Sequence, residues 1–293
     1  MAVRHTKLGF SPAQAQDAIL DGKSVPYSQT SRTGGGSFFR SEPITIGGVS
    51  YRVGEGYTFY SFDDGDAIQA EVSGYYSFRL HGGGSNAGTG GLTEASVYLQ
   101  AGQSVYLKEI TTAYTRTGGT GLYLGTVNSL QPSGDRPNST ILVAGGAGFK
   151  TSQPQVGHGG GLSGGGGGND SGGQQNGSIA TGGTQSAGGT AAGAGGSQPG
   201  GVWYGGDGGT GVQGYGPGGG GGHGWYGGGG GGGDNQDNHG NGGGGSGYVT
   251  GVLTTPNTHG NINTTNASTT TGAATNPPSS RNEARLEIKL GAV

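Results

Sequence analysis

The chain is organised around a glycine-rich stretch that opens with Ile141-Leu142-Val143-Ala144-Gly145-Gly146-Ala147-Gly148-Phe149 and closes with Gly247-Tyr248-Val249. Several glycine runs lie between these ends, and the longest extends from Gly227 to Gly233. Large side chains separate the runs: Leu162, Ile179, Val202, Trp203, Tyr204, Val212, Tyr215, Trp225, Tyr226 and Tyr248. The stretch therefore combines extreme backbone freedom with scattered bulky residues.

This composition narrows the structures that the stretch can adopt. A flexible Gly/Ser linker stays open as an alternative, although a pure spacer has no need of tryptophan. Collagen needs glycine at every third residue and abundant proline, and neither is present. Extended glycine chains with three residues per turn can approach side by side, because they lack Cβ, and exchange backbone hydrogen bonds. We therefore expect a bundle of polyglycine-II helices, pinned at its ends by a conventional β-domain because ordering glycine costs conformational entropy.

The overall composition excludes several classes of protein. The chain has 293 residues, of which 77 are glycine and only 29% are hydrophobic, so it cannot fill a conventional core along its whole length. A net charge of −3 does not favour nucleic acid or an anionic membrane, and the absence of cysteine excludes thiol catalysis and disulfides. We find no apolar run long enough for membrane insertion and no signal-peptide pattern at the N-terminus.

The first 36 residues differ from the rest and are predicted to form an N-terminal segment. Ser11-Pro12-Ala13-Gln14 has the pattern of a helix start, and Gly22 ends a short apolar face. The segment is either an attachment handle for a larger assembly or a single packed surface helix.

Residues 37–144 show the period of two that is typical of strands. In Tyr75–Leu80, the apolar residues Tyr76, Phe78 and Leu80 alternate with Tyr75, Ser77 and Arg79, as in a half-buried strand. The other predicted strands are Ser37–Arg40, Ile44–Ile46, Val49–Val53, Tyr57–Phe62, Ala67–Val72, Ala95–Leu99, Ser104–Ile110, Leu122–Val127 and Thr140–Ala144, with a hairpin turn at Gly47-Gly48. Short strands with frequent turns indicate an antiparallel β-sandwich.

The chain is predicted to return to this sandwich after the glycine-rich stretch. Residues 145–250 form the polyglycine-II bundle with variable loops, and Thr254–Ser280 is a Thr/Asn-rich loop within segment 251–293. The closing strand Ala284–Leu290 faces inward with Leu286, Ile288 and Leu290. The predicted fold class is all-β: an antiparallel β-sandwich with an inserted polyglycine-II helix bundle and a short N-terminal helix.

Two families resemble this order of motifs. The strand that runs into Gly82-Gly83-Gly84, the Ala-Gly turn at Ala101-Gly102, the segment 141–148 and the closing strand are similar to the glycine-rich domain of anaplastic lymphoma kinase-type receptors. The resemblance covers roughly Gly56 to the C-terminus and implies the same fold. The chain departs from the receptors in having no cysteine, signal, membrane span or kinase.

The alternation of glycine runs with short polar and aromatic segments also resembles the tail-fibre tip adhesins of T-even-like bacteriophages. In that family an N-terminal region attaches to the fibre, and loops between polyglycine-II helices contact the bacterial receptor. The resemblance implies a virion protein that is made in the host cytoplasm without a signal peptide. It also implies two kinds of partner: a bacterial outer-membrane protein or polysaccharide, and other virion proteins bound through the N-terminal segment, with a homo-oligomer possible.

The sequence does not indicate an enzyme or a cofactor. Asp63-Asp64-Gly65-Asp66 resembles the start of a calcium loop, but its twelfth position is Gly74 rather than glutamate, which favours a solvated turn. Asp237-Asn238-His239 allows a metal site, but such spacing is common by chance, so no metal is predicted.

A binding surface remains as the main hypothesis. The predicted receptor-binding residues lie between glycine runs and are Trp203, Tyr204, Tyr215, His223, Trp225, Tyr226, Asp234, Asn235, Asp237 and His239. Tyrosine, tryptophan and small polar residues are the ones that antibody loops use for recognition. The alternative for Trp203 and Trp225 is packing along the bundle. Alternative functions are a structural capsid or fibre component and, less favoured, an ice-binding protein.

Overall fold

The computed structural model describes residues 41–60, 62–85, 88–110, 118–124, 140–149, 157–168, 179–211, 217–233, 240–249, 264–273 and 285–291. Within these ranges the chain consists of strands, turns and glycine-rich segments, with one short 3-10 helix at Ala194–Gly196. The all-β prediction is confirmed at this level. The predicted N-terminal helix and the strand Ser37–Arg40 lie outside the described residues.

The strands form antiparallel sheets. In chain order they are β1 (Ser41–Ile46), β2 (Val49–Gly54), β3 (Thr58–Tyr60), β4 (Ala67–Ala70), β5 (Gly74–His81), β6 (Leu92–Leu99), β7 (Ser104–Ile110), β8 (Gly119–Leu124), β9 (Thr140–Ala144), β10 (Val202–Trp203), β11 (Gly224–Tyr226), β12 (Tyr248–Val249), β13 (Thr264–Thr270) and β14 (Arg285–Leu290). A seven-stranded sheet has the order β12-β9-β8-β7-β4-β1-β2, and a five-stranded sheet has the order β13-β6-β5-β14-β3. Strands β10 and β11 make a separate pair.

Local sequence explains the regular strands. The hairpin between β1 and β2 turns at Gly47 and Gly48, whose φ values of 54° and 82° are those that favour glycine in a tight hairpin. In β5 the alternating residues Tyr76, Phe78 and Leu80 are buried, as predicted. The inward residues of β14 are buried as well, and β14 lies between β5 and β3.

Both larger sheets contribute to one hydrophobic core. Ile44, Ile68 and Leu107 come from the seven-stranded sheet, and Phe78 and Ile288 come from the five-stranded sheet. All five side chains are buried. Removing this apolar surface from water is the main force that holds the two sheets together.

The structure corrects the prediction for the segment after the glycine-rich stretch. Within the predicted loop Thr254–Ser280, residues Thr264–Thr270 form strand β13, which pairs with β6 at the edge of the five-stranded sheet. A bulge between Thr265 and Ser268 and a hydrogen bond between the hydroxyls of Thr93 and Thr269 (2.9 Å) fix its position. β-branched threonine suits a strand even in a sequence that is rich in turn-forming residues.

Ten glycine-rich segments, which we call the glycine array, lie between strands β9 and β12. They are residues 145–149, 157–160, 164–168, 179–183, 188–192, 198–201, 205–211, 217–222, 227–233 and 240–245. The two ends of this stretch meet, because Tyr248 pairs with Val143 and Val249 pairs with Leu142.

The hydrogen bonds of segment 227–233 repeat every three residues. The backbone N–H groups of residues 227 and 230 donate to segment 198–201, those of 228 and 231 donate to 217–222, and that of 229 donates to 179–183. Its carbonyl groups follow the same period: those of 227 and 230 accept from segment 188–192, those of 228 and 231 from 205–211, and those of 229 and 232 from 240–245. One segment is thus bonded to six others.

Segment 240–245 is enclosed in the same way. Its six partners are 145–149, 157–160, 164–168, 179–183, 217–222 and 227–233. Hydrogen bonds also connect the outer segments in sequence around these two. The connectivity orders the array in three rows of three, four and three segments, with the two enclosed segments in the middle row.

Close backbone approach explains why the array needs glycine. A Cβ atom added at Gly228, Gly229 or Gly230 meets a carbonyl oxygen of a neighbouring segment well inside the 3.0 Å that real Cβ atoms keep. The same holds for most glycines of the array. Each segment therefore contacts its neighbours through backbone atoms, and side chains are confined to the periphery and to the ends of the segments.

The predicted division into segments 1–36, 37–144, 145–250 and 251–293 stays a prediction. Strands of the last segment do enter the five-stranded sheet, where β13 pairs with β6 and β14 pairs with β5.

Candidate functional site

An aromatic cluster lies where the glycine array meets the seven-stranded sheet. It consists of Tyr123, Val143, Trp203, Trp225 and Tyr248. Trp225 stacks on Tyr248 with ring centroids 3.9 Å apart, and Trp203 meets Trp225 edge to face at 5.5 Å. Strands β8, β9 and β12 supply one side of the cluster, and the pair β10 and β11 supplies the other.

The two tryptophans are not on an accessible surface, which corrects the predicted binding set. Trp203 is 2% exposed and Trp225 is 4% exposed. Burying these large rings between the array and the sheet stabilises the junction more than exposing them does. Both rings pack at the junction of the array with the seven-stranded sheet.

Trp203 is held in an unusual backbone conformation. Its φ of 73° lies in the left-handed region, which is costly for a residue with a bulky side chain, and its indole Nε1 has no hydrogen-bond partner among the described residues. Tyr123, which packs edge to face on Trp203, also has a buried hydroxyl without a described partner. Burial raises the pKa of Tyr123 well above its ordinary value, so its hydroxyl stays neutral.

His223 is also buried, so it does not belong to a receptor-binding surface in this structure. It is 0% exposed, and its Nδ1 accepts a hydrogen bond from the backbone N–H of Gly205 at 3.0 Å. The same nitrogen lies 3.2 Å from the carbonyl oxygen of Trp203. The imidazole thus ties segment 217–222 to segment 205–211 beside the aromatic cluster. Tyr204 and Tyr226, the other predicted residues of this region, are half-buried.

The other five predicted residues, Tyr215, Asp234, Asn235, Asp237 and His239, lie outside the described residues. The neighbours that bracket them are described: Gly211 and Pro217 on either side of Tyr215, and Gly233 and Gly240 on either side of the rest. The positions of these four bracketing residues show at which end of the array the chain enters and leaves residues 212–216 and 234–239.

The bracketing residues converge at one end of the array, which we call the distal end. Hydrogen bonds there join Gly240 to Gly232 (2.9 Å), Gly219 to Gly240 (2.9 Å) and Thr210 to Gly195 (2.8 Å). Gly168 and Phe149, each the last described residue before a break in the described chain, lie at the same end. The backbone N–H of Asn241 donates to Gly168 (3.2 Å), and that of Gly242 donates to Phe149 (3.2 Å). The opposite, proximal end faces the aromatic cluster and the sheets.

Sequence reasoning missed two exposed residues at the distal end. Ile179 is 52% exposed beside one break in the described chain, and Thr210 is exposed close to another. Both flank glycine runs, which is the signal that identified the other candidates. Ile179 was noted only as a bulky residue between glycine runs, and neither residue is aromatic or charged, so neither entered the predicted binding set.

The arrangement does not provide metal chemistry in the part of the chain that is described. No group of three or more histidine and carboxylate side chains is placed to hold a metal ion among those residues. At Asp63–Asp66 the carboxylates serve a turn, because Asp66 accepts from the N–H of Asp63 (2.8 Å) and Asp64 pairs with Lys108. None of the described helices is long and apolar enough to cross a membrane.

Comparison with known proteins finds no family model and no curated protein that matches this chain.

Proposed function

We propose that the glycine array is a polyglycine-II bundle inserted into an antiparallel β-sandwich. The three-residue period of the hydrogen bonds supports the first part, because polyglycine-II has three residues per turn and points successive peptide groups toward different neighbours. The core that the two larger sheets share supports the second part. Segments enclosed by six partners are what close packing of such helices produces.

We further propose that the protein is a receptor-binding adhesin at the tip of a phage tail fibre. The observation that carries this proposal is the convergence of the segment ends that bracket Tyr215 and Asp234–His239 at the distal end, away from the sheets. A densely bonded array offers a fixed platform on which the described ends of these connections lie together, and binding residues are commonly carried by loops on such a scaffold.

In this proposal the candidate residues have different roles. Tyr215, Asp234, Asn235, Asp237 and His239 contact the receptor, and Ile179 and Thr210 contribute to the same surface. Aromatic and small polar side chains give contact area at low entropic cost together with adaptable hydrogen bonding. Trp203, His223 and Trp225 position the array on the sheets instead of touching the receptor. No reaction is assigned to the protein.

The partners of the proposed adhesin are a bacterial surface receptor, either an outer-membrane protein or a polysaccharide, and the virion proteins that hold residues 1–36. The protein is then a virion component that is synthesised in the host cytoplasm.

Replacement of residues 234–239 by a glycine-serine segment of equal length tests the proposal. We expect the variant to fold, judged by circular dichroism and thermal unfolding, and to lose competition with intact virions for host cells. Unchanged competition by a folded variant would contradict the adhesin assignment.

A matched pair of point variants localises the effect. Ile179 at the distal end and Leu162 at the proximal turn have nearly equal exposure, 52% and 50%. We expect Ile179→Ser to weaken binding to cells and Leu162→Ser to leave it unchanged. Equal effects of the two substitutions would argue against a distal binding surface.

A purely structural role in the virion is the second candidate, and the dense backbone packing of the array favours it. In that case the 234–239 replacement and Ile179→Ser bind no differently from the parent protein, whereas deletion of residues 145–247 impairs virion assembly.

A further inference from the structure

A polar cavity of about 270 Å³ opens on the five-stranded sheet, on the face opposite the hydrophobic core. Four strands supply its lining: Lys289 from β14, Ser77 and Arg79 from β5, Glu94 and Ser96 from β6, and Asn266 from β13. Tyr57, directly before β3, forms a further wall. The cavity belongs to the sheet and not to the glycine array, so it is separate from the proposed receptor surface.

The floor of the cavity has a spare hydroxyl donor. The Oγ atoms of Ser77 and Ser96 lie 2.6 Å apart, and these residues are only 4% and 3% exposed. One hydroxyl donates to the other, and the hydroxyl that accepts has no further hydrogen-bond acceptor among the described residues. A buried O–H group that faces an open cavity is suited to a ligand oxygen.

The charges of the cavity leave one cation without a carboxylate partner. Arg79 Nε donates to Glu94 Oε2 at 2.7 Å, and its Nη1 lies 3.8 Å from Glu287. The Lys289 ammonium has no carboxylate within ion-pair distance in the described chain, and its described contact is the Tyr57 ring, whose centroid is 4.5 Å away. The Arg79 guanidinium approaches the same ring at 3.7 Å. The Tyr57 ring therefore contacts two cations at the wall of the cavity. Of these two, only Arg79 has a described carboxylate partner.

Two further polar side chains at the cavity, those of Asn266 and Glu94, have hydrogen-bonding atoms that no described group occupies. Asn266 has a φ of 52° in the β13 bulge, and its carboxamide offers donors and an acceptor. Glu94 uses Oε2 for Arg79, and no described group donates to its Oε1. The cavity thus combines one ammonium group that has no described ion-pair partner with separate hydrogen-bond donors and acceptors.

We propose that this cavity binds a small hydroxylated monocarboxylate, namely an acidic monosaccharide unit of the uronate type. The carboxylate pairs with the Lys289 ammonium, and the sugar hydroxyls bond to the serine pair, to Asn266 and to Glu94 Oε1. A neutral sugar provides no carboxylate for the Lys289 ammonium. A carboxylate without hydroxyl groups provides no partner for the serine pair, Asn266 or Glu94. The volume of about 270 Å³ accommodates one sugar ring.

Titration of the full-length protein with glucuronate, glucose and acetate tests this assignment, with binding followed by calorimetry or by NMR of the ligand. We expect glucuronate to bind at least about tenfold more tightly than either glucose or acetate, a difference of about 1.4 kcal/mol. Equal affinity for acetate would overturn the assignment to a sugar. Absence of glucuronate binding by the folded protein would overturn the site altogether.

Two variants and one control assign the roles of the side chains. Lys289→Gln is expected to weaken glucuronate binding about tenfold and to remove its salt dependence. Asn266→Gly keeps the positive φ and removes the carboxamide, so it is expected to reduce the preference for glucuronate over acetate. Lys108→Gln alters a lysine on the other sheet and is expected to leave binding unchanged. Equal losses in Lys289→Gln and Lys108→Gln would contradict a specific role for Lys289.

Discussion

The two sheets and the glycine array satisfy their backbone hydrogen bonds by opposite means. In the sheets, side chains such as Phe78 and Ile288 fill a core that excludes water, and strands pair only along their edges. In the array, the absence of side chains lets a segment such as 227–233 bond to six others. The stability of the sheets therefore depends on side chains that fill the core, and the stability of the array depends on the absence of side chains. A substitution that is conservative in one region is disruptive in the other.

Adding a methyl group to the middle of the array is expected to have the largest effect. A Cβ at position 229 collides with the Thr190 carbonyl, and backbone cannot move aside without separating segments. We expect Gly229→Ala to lower the free energy of unfolding by more than about 4 kcal/mol, a loss that is exceptional for one substitution. Loss of amide protection across segment 227–233 in hydrogen exchange measures the effect.

Gly166→Ala is the matched control, because Gly166 lies in the same array but is exposed. The nearest atom to its added Cβ is the Ala180 carbonyl oxygen at 3.4 Å, an ordinary contact. The free energy of unfolding of this variant is expected to lie within about 0.5 kcal/mol of the value for the parent protein. If Gly229→Ala were equally mild, the backbone-contact account of the array would be wrong.

Removing a side chain from the sheets is expected to have the next largest effect. Leu80 is fully buried in the shared core, so Leu80→Ala creates a cavity. We expect this substitution to lower the free energy of unfolding by about 3 kcal/mol. Chemical denaturation gives the free energy, and hydrogen exchange locates the loss. We expect amide protection to fall in β5 and its neighbours β6 and β14. A loss confined to the array would show that the sheets do not depend on this core.

Acidification is expected to weaken the sheets moderately. Burial lowers the pKa of His81 below its ordinary value of 6.5, although Glu287 at 3.5 Å acts in the opposite direction and Arg285, Arg79 and Glu94 lie nearby. Below pH 6.5 the unfolded chain therefore binds more protons at this position than the folded chain does. The free energy of unfolding should decrease as the pH falls from neutral to about 5, which denaturation at a series of pH values measures.

The variant His81→Leu removes the titrating group and should flatten this part of the pH profile. The variant Leu80→Ala, which removes no titratable group, serves as the control and should keep the slope. A profile that is identical in His81→Leu and the parent protein would assign the pH dependence to other groups.

Salt is expected to have the smallest effect and to act only on the sheets. The described ion pairs, including Arg79–Glu94 and Lys108–Asp64, are partly exposed and lie on the sheets, so screening at about 1 M salt should cost no more than about 1 kcal/mol. Asp207 is the one charged residue among the described segments of the array. Hydrogen exchange at low and high salt should therefore differ in β5 and β6 and not in segment 227–233.

Much of the sheet architecture was predictable because local sequence patterns determine it. The alternation in Tyr75–Leu80 and in Leu286, Ile288 and Leu290 identified buried strands, and Gly47-Gly48 identified a hairpin. Strand β13 was missed because its stability comes from pairing with β6, which lies far away in the sequence. Strands β10, β11 and β12 have two or three residues, which is too short for any period to appear.

The candidate site was less predictable from the sequence. Glycine runs indicated an ordered region, but no pattern within them tells which aromatic residue faces the sheets. Trp203 and Trp225 are buried because of contacts with Tyr123, Val143 and Tyr248, which come from three separate parts of the chain. The cavity at Lys289 was also invisible, since its residues come together only through the register of four strands.

The three-residue period of segment 227–233 restricts how such a chain can change its length. Insertion of one residue within the segment turns every later N–H group toward a different neighbour, so that the partners of residues 230 and 231 no longer match. Insertion of three residues restores the match, and changes beyond the segment ends leave it untouched. Related chains should therefore vary freely in length at the distal connections, whereas enclosed segments should gain or lose residues only in multiples of three.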